Sequence, residues 1–166
     1  GKKVYICFRD KDIIEVYDAW TGEKLNEIEL GIGSLTDTKI VMDKNGFLYA
    51  GSNYKPGYQD FRFIVQKINT ETDIVEGNAI NGSGTLDFMK IGINNELYTI
   101  FHTSGGKTTF YFYVITDSTS WSISSDKSFG NLTDSQEKIY VTHLLGSNGY
   151  KNLEVIDKTT HQIEET

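Results

Sequence analysis

The stretch Lys138-Ile139-Tyr140-Val141-Thr142 decides the fold, together with Val155-Ile156-Asp157-Lys158-Thr159-Thr160, which follows it in the chain. Both stretches contain β-branched residues, and the first adds an aromatic ring, so both favour strands. The second ends in a polar turn, where the Asp157 carboxylate is placed to accept hydrogen bonds from backbone N–H groups two residues on. The pair therefore predicts two strands and the hairpin turn that closes the second.

Both features recur along the chain. Four tyrosines open strand-like segments 44, 49 and 42 residues apart, and four turn positions are spaced 51, 47 and 41 residues apart. The tyrosines are Tyr5, Tyr49, Tyr98 and Tyr140, and the turn positions are Asp18, Asn69, Thr116 and Asp157. A period of this length is typical of a four-stranded propeller blade. We expect the four tyrosines to be equivalent and largely buried between blades.

This repeat predicts an all-β chain: a β-propeller or propeller fragment of about four blades, each an antiparallel four-stranded sheet. The units would span approximately 1–38, 39–86, 87–128 and 129–166. In the second unit we expect strands at 39–43, 47–52, 61–69 and 73–80, with alternation from Phe61 to Val65 marking one buried face. Asn45-Gly46 predicts a tight two-residue hairpin connection, because this pair tolerates positive φ angles.

The last unit resembles the YVTN β-propeller repeat. The resemblance is carried by Ile139–Thr142, by Gly146-Ser147-Asn148 and by Leu153–Asp157 with Thr159, Thr160 and Ile163. Tyr140, Val141 and Thr142 match the first three letters of the motif, and His143 stands where the repeat has Asn. The first unit is a weaker copy, through Val4-Tyr5-Ile6 and Ile13–Asp18. The middle two units match the repeat only in the spacing of the strand tyrosine and the turn position.

The resemblance implies a fold more than a function. Propellers of this kind serve as surface-layer, periplasmic or other binding scaffolds, so it favours an extracellular, cell-surface or periplasmic location. Their rings usually have more than four blades, and no innermost strand stands before Val4. The chain is then a fragment of a larger propeller, or it closes as a small ring, or its open strand edges pair with another chain in self-association.

Composition narrows the possible partners. A net charge of −7 and a pI near 4.9 disfavour nucleic acid, since phosphate binding depends on Lys and Arg. No apolar stretch is long enough for a membrane span. Cys7 is the single cysteine, which leaves no intramolecular disulfide, and its strand-like surroundings predict a small buried hydrophobe. The partner is therefore expected to be a protein or a small molecule.

The sequence indicates no metal or cofactor site. His102 and His143 are offset by one residue in repeat register, which points them to opposite faces of their strands. Ser104-Gly105-Gly106-Lys107-Thr108 lacks the earlier glycine of a phosphate loop and predicts a hairpin loop.

We predict a binding site in the connection between the second and third strands of the second unit. Residues 53–60 read as a long loop with two tyrosines beside charge, and tyrosine is a favoured contact residue. The candidate ligand- or partner-binding residues are Tyr54, Lys55, Tyr58 and Asp60, with His102 and His143 at the ends of later strands. The same tyrosines could instead cover their own blade.

Two function classes remain open. A non-catalytic binding or interaction scaffold is favoured over an enzyme. The alternative is a hydrolase or lactonase of propeller type that uses acidic residues at the central mouth, for which Asp37, Asp87 and Asp134 are the available candidates. Capping turns explain these three carboxylates equally well.

Overall fold

The computed structural model describes residues 2–33, 35–58, 60–103, 110–115, 119–125, 128–145 and 150–164. These residues form antiparallel strands and no helix, which confirms the all-β prediction. The strands make four sheets, of three strands in the first and four in each of the others. Sheet 1 contains β1 (Lys3–Cys7), β2 (Ile13–Asp18) and β3 (Lys24–Glu29), and sheet 2 contains β4 (Leu35–Met42), β5 (Phe47–Gly57), β6 (Asp60–Asn69) and β7 (Ile74–Ser83). Sheet 3 contains β8 (Thr85–Ile91), β9 (Leu97–His102), β10 (Phe110–Ile115) and β11 (Ser120–Ser125), and sheet 4 contains β12 (Ser128–Asp134), β13 (Lys138–Leu145), β14 (Tyr150–Asp157) and β15 (Ile163–Glu164).

Each sheet has two distinct faces. Residues alternate along a strand, so the repeated tyrosines define one face of each sheet, which we call the tyrosine face. The other side, which we call the aliphatic face, carries the residues on either side of each tyrosine. Those residues are Val4 and Ile6 in sheet 1, Leu48 and Ala50 in sheet 2, Leu97 and Thr99 in sheet 3, and Ile139 and Val141 in sheet 4.

The chain divides into two compact units, Gly1–Leu86 and Asp87–Thr166, and each has its own core. In the first unit Ile14 and Val16 of sheet 1 pack with Leu48 and Ala50 of sheet 2. In the second unit Tyr98, Ile100 and Val114 of sheet 3 pack with Ile139, Val141 and Ile156 of sheet 4. In both units, therefore, a tyrosine face packs on an aliphatic face, and the buried apolar area stabilises the pair of sheets.

The repeated polar turn is confirmed at three of its four positions. Asp18 accepts from the N–H groups of Trp20 and Thr21, Asn69 from those of Glu71 and Thr72, and Asp157 from those of Thr159 and Thr160. Four residues after each acceptor the chain adopts a positive φ, at Gly22, Asp73 and His161. The fourth position, Thr116, lies outside the described residues, as do Ser104–Thr108 and Gly146–Asn148.

The hairpin at Asn45-Gly46 exists, but the prediction of a two-residue connection is wrong. The strands end at Met42 and restart at Phe47, so residues 43–46 form the connection. The Asp43 carboxylate accepts from the N–H groups of Asn45 and Phe47, and only Gly46 in this turn has a positive φ, of 83°. The side chain of Asp43 therefore closes a longer turn than Asn-Gly alone would make.

The predicted burial of the four tyrosines is also corrected. Tyr98 and Tyr49 are buried, whereas Tyr5 and Tyr140 are half-buried. Tyr140 occupies the tyrosine face of sheet 4, and Ile139 and Val141, rather than Tyr140, belong to the core of the second unit. Register thus places the four tyrosines at equivalent positions, but they differ in how far each is buried.

Candidate functional site

The predicted binding segment is a strand hairpin and not a long loop. β5 continues through Gly57 and β6 starts at Asp60, with Tyr54 opposite Arg62 and Gly57 opposite Asp60. The register shifts between Tyr54 and Gly57, and this irregularity accommodates Pro56, which cannot donate a ladder hydrogen bond. The hairpin brings Tyr54, Lys55, Tyr58 and Asp60 together on one strand-built arm.

The tip of this hairpin presents aromatic rings. Tyr58 is 90% exposed, and the Lys55 ammonium lies 5.5 Å from the centre of its ring. The same ammonium lies 4.9 Å from the Phe61 ring, which is partly exposed. Cation–π attraction favours this arrangement. The alternation of apolar residues predicted that Phe61 is buried on the same face as Phe63 and Val65. In the structure Phe63 and Val65 are buried, but Phe61 is partly exposed.

Asp60 is used within the hairpin. Both of its carboxylate oxygens lie 3.2 Å from Arg62 Nε, so the two charges pair beside Tyr54. The hydrogen bond and the charge of Asp60 raise the pKa of Arg62 above its ordinary value. The pairing leaves the base of the hairpin nearly neutral.

A polar pocket of about 410 Å³ lies on sheet 2 next to this pair. Its lining residues come from three adjacent strands, β5, β6 and β7. None of the β7 residues was predicted from the sequence to be a binding residue. Its lining residues are Tyr54, Arg62, Ile64, Asn78, Asn81, Gly82 and Ser83. The hairpin arm and this pocket are contiguous through Tyr54 and Arg62, and together they form the candidate site.

His102 is another of the predicted binding residues. It lies in the second unit, where its Nδ1 is 2.7 Å from Asp87 Oδ2, and both side chains are partly exposed. The structure thus brings one predicted ligand-binding residue together with one of the predicted acids. The pair lies at the ends of neighbouring strands, β9 and β8.

His143, the last of the predicted binding residues, is completely buried. Its Nε2 lies 3.0 Å from Glu154 Oε2, and Glu154 is buried as well. Alternation places His143 on the face of Ile139 and Val141, within the core of the second unit. We interpret the pair as an internal polar contact of sheet 4.

Asp37 and Asp134, the other two predicted acids, also have local partners. Asp37 pairs with Lys39 on its own strand. Asp134 accepts from the Ile93 N–H at 2.9 Å and lies 3.0 Å from Lys158 Nζ. Burial alone would raise the pKa of Asp134, but the N–H donor and the ammonium outweigh it and lower the pKa below its ordinary value.

A larger polar network surrounds Asp134 between sheets 3 and 4. Tyr98 Oη is 2.5 Å from Glu96 and 3.2 Å from Asp134, and Lys158 Nζ is 2.7 Å from Glu96. Burial, followed by the bond to Glu96, raises the pKa of Tyr98. The first unit has a smaller counterpart, in which Lys3 and Tyr5 of sheet 1 both bond Asp73 of sheet 2. Burial and then the Asp73 charge raise the pKa of Tyr5 to about 12. These networks join sheets, and their members are occupied with one another.

Within the part of the chain that the structure describes, no three His, Cys, Asp or Glu side chains are grouped so as to hold a metal ion. The described residues also include no helix with the length and apolar character that crossing a membrane requires. No protein-family model matches the chain, and no curated protein matches it at a significant level.

Proposed function

We propose that the chain is a non-catalytic binding scaffold of β-propeller type, whose four sheets are blades similar to the YVTN repeat. Two repeated features support the blade interpretation. The polar turn recurs with the same hydrogen bonds at Asp18, Asn69 and Asp157, and each unit packs a tyrosine face on an aliphatic face. Repeat units that bury one face against the next are the basis of such architectures.

The exposed aromatic tip of the β5–β6 hairpin carries the functional part of the proposal. Burying Tyr58 and Phe61 against a partner would remove a large apolar area from water, and aromatic side chains dominate contact energies in binding sites. Strand pairing on both sides of the tip holds these rings in place before a partner arrives, which lowers the entropy lost on binding. The ligand is a protein or a small molecule outside the cell, at its surface or in the periplasm.

A hydrolase or lactonase function has less support. Its three candidate acids, Asp37, Asp87 and Asp134, are engaged with Lys39, His102 and Lys158. The enzyme hypothesis predicts that calcium or zinc raises the melting temperature, because a metal that binds the folded state stabilises it.

The scaffold proposal is tested by screening the protein against a random peptide library and a panel of soluble glycans. We expect the ligands that it retains to be lost by Tyr58→Ala and Lys55→Ala. Trp20→Ala is the matched control, because Trp20 is an aromatic residue that is 80% exposed in a turn of sheet 1. Ligands retained equally by Tyr58→Ala and Trp20→Ala, or a protein that retains none, would contradict the hairpin as the binding surface.

A further inference from the structure

The polar pocket beside the hairpin is built by three strands in register. Tyr54 is opposite Arg62, and Arg62 is opposite Ser83, so these side chains form one row across β5, β6 and β7. Ile64 and Asn81 form part of the next row. Opposed residues on one face of a sheet lie within reach of a common ligand. A pocket of about 410 Å³ is within the range of small-molecule sites.

A bulge in β7 aims two asparagines at this pocket. Gln66 is opposite Asn78 and Ile64 is opposite Asn81. Asn78 and Asn81 are three residues apart, whereas their partners are two apart, so β7 contains one extra residue here. In a regular strand residues three apart point to opposite faces, whereas the register shift here brings Asn78 and Asn81 to the same face. Bulges are used at functional sites to redirect side chains in this way.

The chemistry of the lining favours an uncharged, hydroxyl-rich ligand. The Arg62 charge is already paired with Asp60, which removes the net positive field that a phosphate or sulfate would require. The amides of Asn78 and Asn81 and the hydroxyl of Ser83 each donate and accept hydrogen bonds, as sugar hydroxyls do. Tyr54 and Ile64 add an apolar surface suited to the C–H face of a sugar ring, and Tyr54 packs against the core of the first unit, which holds it in place.

We propose that this pocket binds a neutral carbohydrate, with Asn78, Asn81 and Ser83 contacting its hydroxyl groups and Tyr54 contacting its ring. The proposal rests on the binding function proposed above and names the ligand class of the same site. Tyr58 at the hairpin tip would contact the sugar units that extend beyond the pocket.

The test uses the whole chain and a panel of soluble neutral oligosaccharides of glucose, galactose, mannose and N-acetylglucosamine, with one sulfated oligosaccharide as the charged comparison. Binding is measured by calorimetry, and the site is located by amide chemical-shift changes. We expect at least one neutral oligosaccharide to bind, with shifts at residues 54, 62–64 and 78–83. The double variant Asn78→Ala/Asn81→Ala should weaken this binding roughly tenfold or more, since each lost hydrogen bond is worth about 1 kcal/mol. Both asparagines are exposed, so the fold should survive.

Asn152→Ala is the matched control, because Asn152 is an exposed asparagine on a strand of sheet 4. Absence of binding by every neutral oligosaccharide, shifts located elsewhere, equal affinity of the double variant and this control, or tighter binding of the sulfated compound would each overturn the carbohydrate assignment. If peptide ligands still depend on Tyr58 in that case, the scaffold function stands and only the ligand class is wrong. Absence of both carbohydrate binding and Tyr58-dependent peptide binding would contradict the carbohydrate assignment and the scaffold function together.

Discussion

Residues at the same position of the repeat differ in how much they stabilise the fold, because they differ in burial. Tyr98 is 1% exposed and bonds Glu96 and Asp134, whereas Tyr140 at the equivalent position is half-buried. Tyr98→Ala should therefore lower the free energy of unfolding by about 3–5 kcal/mol, because it leaves a cavity and unpaired polar groups. Tyr140→Ala should cost about 1–2 kcal/mol, since roughly half as much area is lost. Denaturant melts of the two variants test this order, and equal losses would contradict the assignment of Tyr98 to the core.

Carboxylates in the repeated turns should make the fold sensitive to acid. The bond from Lys138, together with the N–H groups of Thr160 and Thr159, lowers the pKa of Asp157 well below its ordinary value. A lowered carboxyl pKa stabilises the fold above the unfolded value of about 4, and this contribution is lost as the pH falls below it. Asp157→Asn keeps a turn acceptor, as Asn69 shows in sheet 2, but does not titrate.

We therefore expect Asp157→Asn to be less stable than the parent at neutral pH, and the difference to shrink as the pH falls from about 5 to about 2. Thermal melts across this range measure the effect. A difference that stays constant with pH would show that the Lys138 bond does not lower the Asp157 pKa in the folded state.

At the scale of strands and hairpins, the sequence predicted the repeated turns but not the strand register that builds the candidate site. Turn acceptors such as Asp157 act on backbone groups two or three residues away, so their pattern was readable. The extension of β5 through Gly57 could not be predicted in this way. Pro56 and Gly57 are typical of a loop, and the bulge that accommodates them depends on pairing with β6. The row from Tyr54 to Ser83 and the turning of Asn78 by the β7 bulge depend on non-local register, which no short pattern contains.

The packing between β6 and β7 yields a prediction for Gly82. A Cβ on Gly82 would lie 2.7 Å from Phe63 Cε1, and the Phe63 ring is fully buried. Gly82→Ala should therefore destabilise the fold by about 1–3 kcal/mol through overpacking. Gly57→Ala is the control in the same sheet, because a Cβ there would lie 4.0 Å from Asp60 Cβ, which is an ordinary contact. Thermal unfolding of the two variants measures the difference, and an unchanged melting temperature for Gly82→Ala would show that β7 lies differently against Phe63.

At the scale of the whole molecule, two sheet faces carry exposed apolar side chains. The aliphatic face of sheet 1 exposes Val4 and Ile6, and the tyrosine face of sheet 4 exposes Leu153 beside the half-buried Tyr140. Within each unit it is a tyrosine face that packs on an aliphatic face. These two exposed faces are therefore of the complementary kinds that pack together elsewhere in the chain.

We expect the isolated chain to associate through these faces as its concentration rises, since burying the remaining exposed area of each apolar side chain there contributes about 0.5–1 kcal/mol. Sedimentation velocity across a concentration series measures this association. Ile6→Glu or Leu153→Lys should weaken it about tenfold or more, because either change would place a charge inside the contact. Trp20→Lys is the control, since Trp20 is exposed in a turn and lies on neither face. A parent chain that remains monomeric at every concentration would contradict association between copies, and would favour the two faces meeting within one molecule, as they do in a closed ring.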